Sequence, residues 1–234
     1  MPATITLTLE SSERIRVYPA RLHGALCKIL EEPDADHRRQ HKPFAAGPLR
    51  ENEDGTRWRI GWLGKEQPAR LPESVRFGDV TCAVRGVRLE NLGYAELAQA
   101  KPARHAQFET LSPLYFSRDG RDHPLPDPVS IVRSLAQRWN AHAPAEFIIP
   151  DDVFRSLLDR VILHEMDGKT IRTPVSATMK QIGFFGTFRL GLTKTADHTT
   201  STLFAALMQY ATISGIGAQT SHGFGAMELT EIVP

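Results

Sequence analysis

The chain has 234 residues, of which 41% are hydrophobic and 24% charged, and its formal net charge is +1. These values are ordinary for a soluble protein and allow one large domain or two small ones. The near-neutral charge excludes a wholly basic nucleic-acid binder, so any such site must be a local patch of cations. No apolar run is long enough to span a bilayer, and residues 1–10 lack the apolar segment of a secretory signal. Cys27 and Cys82 form no disulfide framework, so we expect a cytoplasmic protein.

The first half of the chain predicts the order strand, helix, strand, strand, helix, strand. Ile5, Leu7 and Leu9 alternate with threonines, as in a half-buried strand. A helix that begins at Pro19 carries its apolar residues on one face. The remaining predicted strands cover residues 44–49, 58–63 and 82–89, and a short second helix covers residues 68–74.

The second half predicts a similar order of strands and helices. It begins after residues 98–104, where the alternation of apolar and polar residues is lost. A strand at residues 108–115 is followed by a helix from Pro128 and a short helix near Asp151. Two strands are expected to pair across Asp167-Gly168, a hairpin signal. The predicted elements that follow residue 160 are strands at 161–165, 170–178, 182–192 and 226–232 and a helix at 203–210.

Each half therefore fits a βαββαβ plan, in which an antiparallel sheet carries its helices on one face. We predict an α+β protein of two tandem ferredoxin-like domains, which comprise residues 1–102 and 103–234.

The segment from Gly215 to Gly225 (GIGAQTSHGFG) is the plainest local signal. Its four glycines permit positive φ and close approach of the backbone to a partner, and free N–H groups there could hold phosphate. The segment runs from a helix into a strand, the reverse of a dinucleotide-binding loop, and it lacks the Walker lysine. Nucleotide binding is thus disfavoured, and no cofactor is predicted. The alternative is a turn that only packs the last helix on the sheet.

Together these segments resemble the CRISPR-associated endoribonucleases that cut precursor repeat RNA, within the RAMP superfamily. The glycine segment is similar to the family's C-terminal glycine loop, and residues 183–186 (GFFG) are similar to its central strand. Residues 111–116 (LSPLYF) and 124–128 (PLPDP) are similar to the entry into its second domain. His37, six residues before Pro43-Phe44, is similar to the family's histidine upstream of a Pro-Phe strand.

The resemblance implies two ferredoxin-like domains and cleavage within a CRISPR repeat that leaves a 5′ hydroxyl and a 2′,3′-cyclic phosphate, without a metal. The implied partners are a precursor CRISPR RNA hairpin, which many members retain after cleavage, and other subunits of an effector complex; no membrane is expected. A second hypothesis is a subunit that binds CRISPR RNA without cutting it. It is favoured because the first helix offers Cys27 where many members use a tyrosine.

Cleavage of this kind needs a base for the 2′-hydroxyl, an acid for the 5′ oxygen and cations for the phosphorane. Histidine suits the proton transfers because its pKa lies near neutrality, and arginine or lysine suits the charge. His37 is the leading candidate, with Arg38, Arg39 and Lys42 nearby to hold phosphate; the alternative is an exposed loop histidine.

Two further histidines compete for these roles. His41 is the rival of His37, and the two have the spacing of a helical metal pair. Their segment lacks the glutamate of HExxH, and Pro43 disfavours a helix, so no metal site is predicted. His23, beside Arg21 on the first helix, is the second candidate, and the alternative is a partly buried structural histidine.

The RNA contacts are expected from cations of the second half and from the glycine segment. Any one of these cations alone is also consistent with a solvated surface charge. The predicted contact residues are Arg133, Arg138, Lys169, Arg172, Lys180, Arg189, Gly215, Gly217, His222, Gly223 and Gly225.

Overall fold

A computed structural model describes residues 1–13, 15–31, 41–68 and 71–234. The first half is a five-stranded antiparallel sheet in the order β2-β3-β1-β5-β4, and the helix α1 packs on one face. The buried side chains of β1 at Ile5, Leu7 and Leu9 meet Leu22 and Leu26 of α1, as the alternation predicted. The elements are β1 (Ala3–Glu10), α1 (Pro19–Leu30), β2 (Phe44–Asn52), β3 (Gly55–Trp62), β4 (Ser74–Phe77) and β5 (Val80–Asn91).

The helix predicted at residues 68–74 is wrong in the described part of that segment. Residues 71–73 are not helical, and β4 begins at Ser74. In β4, exposed Ser74 and Arg76 alternate with buried Val75 and Phe77, and Phe77 packs edge-on against Trp58. A period of two buries these side chains in a strand and would scatter them around a helix.

The second half is a four-stranded antiparallel sheet in the order β11-β6-β10-β9, the ferredoxin-like arrangement, with helices on one face. Asp127 accepts a hydrogen bond from the Ser130 N–H and caps the first long helix, and Asp197 caps the last helix in the same way. The elements that follow β5 are α2 (Tyr94–Ala98), β6 (His105–Thr110), β7 (Phe116–Arg118), β8 (Arg121–His123), α3 (Pro128–His142), α4 (Asp151–Leu158), β9 (Val161–Pro174), β10 (Lys180–Leu192), α5 (His198–Ser214) and β11 (Met227–Val233).

The hairpin predicted at Asp167-Gly168 is also wrong. The strand β9 runs through this dipeptide without turning, and Gly168 faces Gly186 across the ladder with β10. A Cβ on Gly168 would lie 2.8 Å from the Phe184 ring, and one on Gly186 would lie 2.6 Å from the Gly168 Cα. The glycines therefore allow close strand approach, and the chain turns later, where the Val175 N–H donates to the Met179 carbonyl.

The two halves meet where the end of α5 crosses β3. The Arg59 guanidinium donates to the Thr212 carbonyl at 3.0 Å, and Gly61 leaves room for the Ile213 carbonyl. A second contact between the halves lies at the start of α1, where the Ala20 N–H donates to the Val175 carbonyl at the β9–β10 turn. These contacts bring α1, the glycine segment and the β9–β10 hairpin together. Within the described residues, none of the helices is long and apolar enough to cross a membrane.

Candidate active site

Two histidines from opposite ends of the chain stack where the halves meet. The rings of His23 on α1 and His222 in the glycine segment have centroids 4.0 Å apart and planes that differ by 7°. His222 belongs to a single 3₁₀ turn, Thr220–His222, which is bracketed by Gln219 and Gly223 in the left-handed conformation. The Leu22 side chain of α1 lies against Gly223, so this turn docks directly on the helix.

A polar chain continues from His23 along α1. The Cys27 Sγ lies 3.5 Å from the His23 Nε2, one helical turn away. Beyond it, Lys42 donates to the Glu31 carboxylate at 2.5 Å, and both side chains are almost fully buried. Lys42, a predicted catalytic cation, is therefore paired with a carboxylate.

The surroundings keep both stacked imidazoles neutral. Burial, and then the neighbouring His23, lowers the pKa of His222 to about 4. Burial and then Lys42 lower the pKa of His23, while Glu31 and the Ser221 backbone oppose that shift. A neutral imidazole at pH 7 can accept a proton, which is the property a general base requires.

The Cys27 thiol stays protonated in this site. Burial first, and then the charge and hydrogen bond of Glu31, raise its pKa to about 11. Cys27 is therefore not a thiolate nucleophile at neutral pH and serves as a neighbour of His23.

The other predicted catalytic residues divide into two groups. His37, with Arg38 and Arg39, lies outside the residues the structure describes. His41 lines a cleft together with Arg133 of α3 and Gln219 of the glycine segment. No group of three or more potential metal ligands occurs within the described ranges.

The glycines of the segment serve packing. Gly215, Gly217, Gly223 and Gly225 all have positive φ, and a Cβ on Gly225 would collide with the Ile216 carbonyl. Their N–H groups donate to Ala211, Ser134, Thr220 and Pro113 respectively. A phosphate cradle made of these four N–H groups is thus contradicted, because each has a partner within the protein.

The predicted RNA-contacting cations differ in how far their charged groups are exposed and in whether they bond within the protein. Arg138 donates to the Ser214 and Gly217 carbonyls and to the Thr220 hydroxyl, so its guanidinium supports the glycine segment. Arg189 pairs with Glu231 and Gln107. The exposed members are Arg21, Arg133, Lys169, Arg172 and Lys180.

A profile of the family described as CRISPR-associated endoribonuclease Cas6 matches residues 108–227, which is just over half of the chain. The chain belongs to the Cas6 family. A Cas6 endoribonuclease of Mycobacterium tuberculosis is 25% identical over 265 residues, which cover 98% of this chain and 79% of that protein.

Solved Cas6 structures share the whole fold. One Cas6 product complex superposes with a TM-score of 0.84 at 28% identity, over 98% of this chain and 99% of that one. A product complex of a Thermus thermophilus Cas6 gives a TM-score of 0.83 at 26% identity, with the same coverage. The predicted pair of ferredoxin-like folds is confirmed.

Sequence reasoning missed two residues of this Cas6 site. Glu31 follows α1 in a charged run, and the sequence gave no signal for it because its partner Lys42 lies 11 residues further along the chain. Gln219 lies between the glycines, and only its left-handed backbone distinguishes it from its neighbours. Its position between Gly217 and Gly223 is the one clue that the sequence offered.

Proposed function

We propose that this Cas6 family member cuts precursor CRISPR RNA within the repeat, by attack of a 2′-hydroxyl on the adjacent phosphorus and without a metal ion. The stacked pair of His23 and His222 carries the proposal, because it places a neutral base at the junction of the two halves. The Cas6 relatives in product complexes support the same class of reaction.

The reaction moves two protons. A base takes the 2′-hydroxyl proton as the 2′ oxygen bonds to phosphorus, the bond from phosphorus to the 5′ oxygen breaks, and an acid protonates that oxygen. The products are a 2′,3′-cyclic phosphate and a 5′ hydroxyl. We assign one proton transfer to His23 and the other to His37, with His41 as the rival of His37.

The cations would hold the RNA on both sides of this site. Lys169, Arg172 and Lys180 are exposed on the β9–β10 hairpin, whose turn contacts the start of α1 near Arg21. Arg38 and Arg39 would add phosphate contacts from the segment that holds His37. In this proposal residues 1–102 supply the catalytic histidines, and residues 103–234 grip the repeat hairpin and retain it as product for an effector complex in the cytoplasm.

A subunit that binds CRISPR RNA without cutting it is the second candidate. The thiol of Cys27, whose pKa is about 11, is the observation that favours it, since a weak acid beside His23 is a poor proton donor.

A cleavage assay with a repeat RNA in EDTA distinguishes the endoribonuclease from the RNA-binding subunit. The wild type is expected to yield a cyclic-phosphate end, and His37→Ala and His23→Ala are expected to bind the repeat yet cut it about 10²–10⁴-fold more slowly. His198→Ala, at an exposed position on α5, is the matched control and should cut normally. Tight binding by the wild type with no cyclic-phosphate product would establish the second candidate.

A further inference from the structure

A cleft of about 450 Å³ lies beside the candidate active site. Its walls come from α3, the β7–β8 hairpin and the glycine segment, and they include Phe116, Arg118, Arg133 and Gln219. His41 also lines it, and the next residue, Lys42, acts on His23. The cleft is large enough for one nucleotide.

Gln219 is held in an unusual conformation at this cleft. Its φ of 52° and ψ of 35° are left-handed, a conformation that side chains other than glycine rarely adopt. Its carbonyl accepts hydrogen bonds from the N–H groups of His222 at 2.9 Å and Phe224 at 3.3 Å, which fix that conformation. Strain of this kind persists where the surrounding structure over-determines it, often at ligand sites.

Gln219 lines the cleft and holds a hydrogen-bond acceptor that is not satisfied within the described residues. Its Oε1 is buried and has no hydrogen-bond partner within the part of the chain that the structure describes. A buried acceptor without a donor is unfavourable, so a ligand that supplies one is stabilised there. Amino groups of nucleobases are such donors, and a glutamine amide matches adenine with two hydrogen bonds.

The rest of the cleft suits an RNA nucleotide. Arg118 and Arg133 are exposed at its walls and can neutralise a phosphate, and Phe116 adds an apolar wall. Arg138 supports the floor through its bonds to Gly217 and Thr220, so the amide of Gln219 is presented from a rigid turn.

We propose that Gln219 reads the exocyclic amino group of one unpaired nucleotide of the repeat, an adenine or a cytosine, next to the cleaved bond. A base that lacks this amino group offers the Gln219 Oε1 no hydrogen at that position. The inference rests on the proposed function, because it takes the ligand of the cleft to be the repeat RNA.

The test uses a set of repeat RNAs in which each unpaired adenine or cytosine, one at a time, is replaced by the same base without its amino group. For the wild type, one position should weaken binding about 10-fold, the effect of losing one base-specific contact. Gln219→Gly, which suits the left-handed backbone, should bind unmodified RNA about 10-fold more weakly and show no penalty at that position. Gln219→Asn, which also tolerates this conformation, serves if the glycine variant does not fold.

Arg133→Ala is the control and should weaken binding of every RNA in the set by the same factor. An unchanged position-by-position profile in Gln219→Gly, or no sensitive position in the wild type, would overturn the inference. Those results leave the proposed function standing if the wild type still cuts the repeat. Failure of the wild type to bind any repeat RNA would overturn both.

Discussion

His23 and His222 stack at 4.0 Å with nearly parallel rings, and this contact ties α1 to the glycine segment. Two imidazoles at this distance repel each other when both are protonated, so the pair is stable only while at least one ring is neutral. The same contact makes the charge of the site depend on pH. It also makes the position of the His23 ring depend on the glycine segment near the C-terminus.

The stability of the fold should fall as acid protonates His222. Its pKa is about 4 in the folded protein against 6.5 when unfolded, so the unfolded state binds more protons between these values. The contribution is complete above pH 6.5 and is lost as the pH falls through 4. We expect a loss of about 2 kcal/mol after allowance for solvent screening, measured as the free energy of urea unfolding. His222→Phe keeps a stacked ring, and a wild-type loss that persists undiminished in this variant would contradict the assignment.

Loss of the His23 imidazole should slow the chemical step and spare binding. We expect His23→Ala to lower the single-turnover cleavage rate by about 10²–10⁴-fold, the usual contribution of a general acid or base. Repeat affinity should change little because the cations that grip the RNA lie elsewhere. Since the pKa of His23 is lowered, the acidic limb of the wild-type rate profile should lie below pH 6.5. A limb above that pH would rule out His23 as the base.

The buried pair of Lys42 and Glu31 should show strong coupling. Either Lys42→Met or Glu31→Gln breaks this buried ion pair, and each should destabilise the protein by about 3–5 kcal/mol. The double variant removes both charges and should recover most of that loss. Urea unfolding of the four proteins gives the coupling energy, and additive effects would show that the pair does not interact.

Arg138 and Arg133 lie on the same helix and should behave differently. Arg138→Ala removes the donors to Ser214, Gly217 and Thr220, and we expect it to destabilise the fold by about 2–3 kcal/mol. Arg133→Ala, at an exposed position, should change stability by less than about 0.5 kcal/mol and weaken RNA binding. Equal thermal stability of the two variants would contradict the role given to Arg138.

The exposed cations of the β9–β10 hairpin should contribute to the salt dependence of binding. Replacement of Lys169, Arg172 and Lys180 by alanine should reduce the slope of log affinity against log salt by up to about 3, if each neutralises one phosphate. Arg189→Ala is a suitable control because Glu231 already pairs with its guanidinium. Repeat affinity measured at several salt concentrations distinguishes these cases, and an unchanged slope in the triple variant would exclude the hairpin from RNA contact.

The sequence by itself determined the fold class, because alternation and helical periodicity record which face of each element is buried. It located α1, α3 and α5, the central strand β10 and the glycine segment, and its resemblance to the endoribonuclease family is confirmed by the family match. The local sequence pattern could not distinguish a glycine in a turn from a glycine that allows two strands to approach closely. Gly168 was therefore wrongly predicted to lie in a hairpin turn.

Tertiary structure alone decided how the site is assembled. His23 and His222 meet only because the halves pack together and α1 docks on the glycine segment, whereas Lys42 and Glu31 meet within the first half. The same packing bonds the glycine N–H groups internally and assigns Arg138 to the support of the segment. Such pairings produce no periodic pattern in the sequence, because each partner is an ordinary polar residue whose contact forms only in the folded protein.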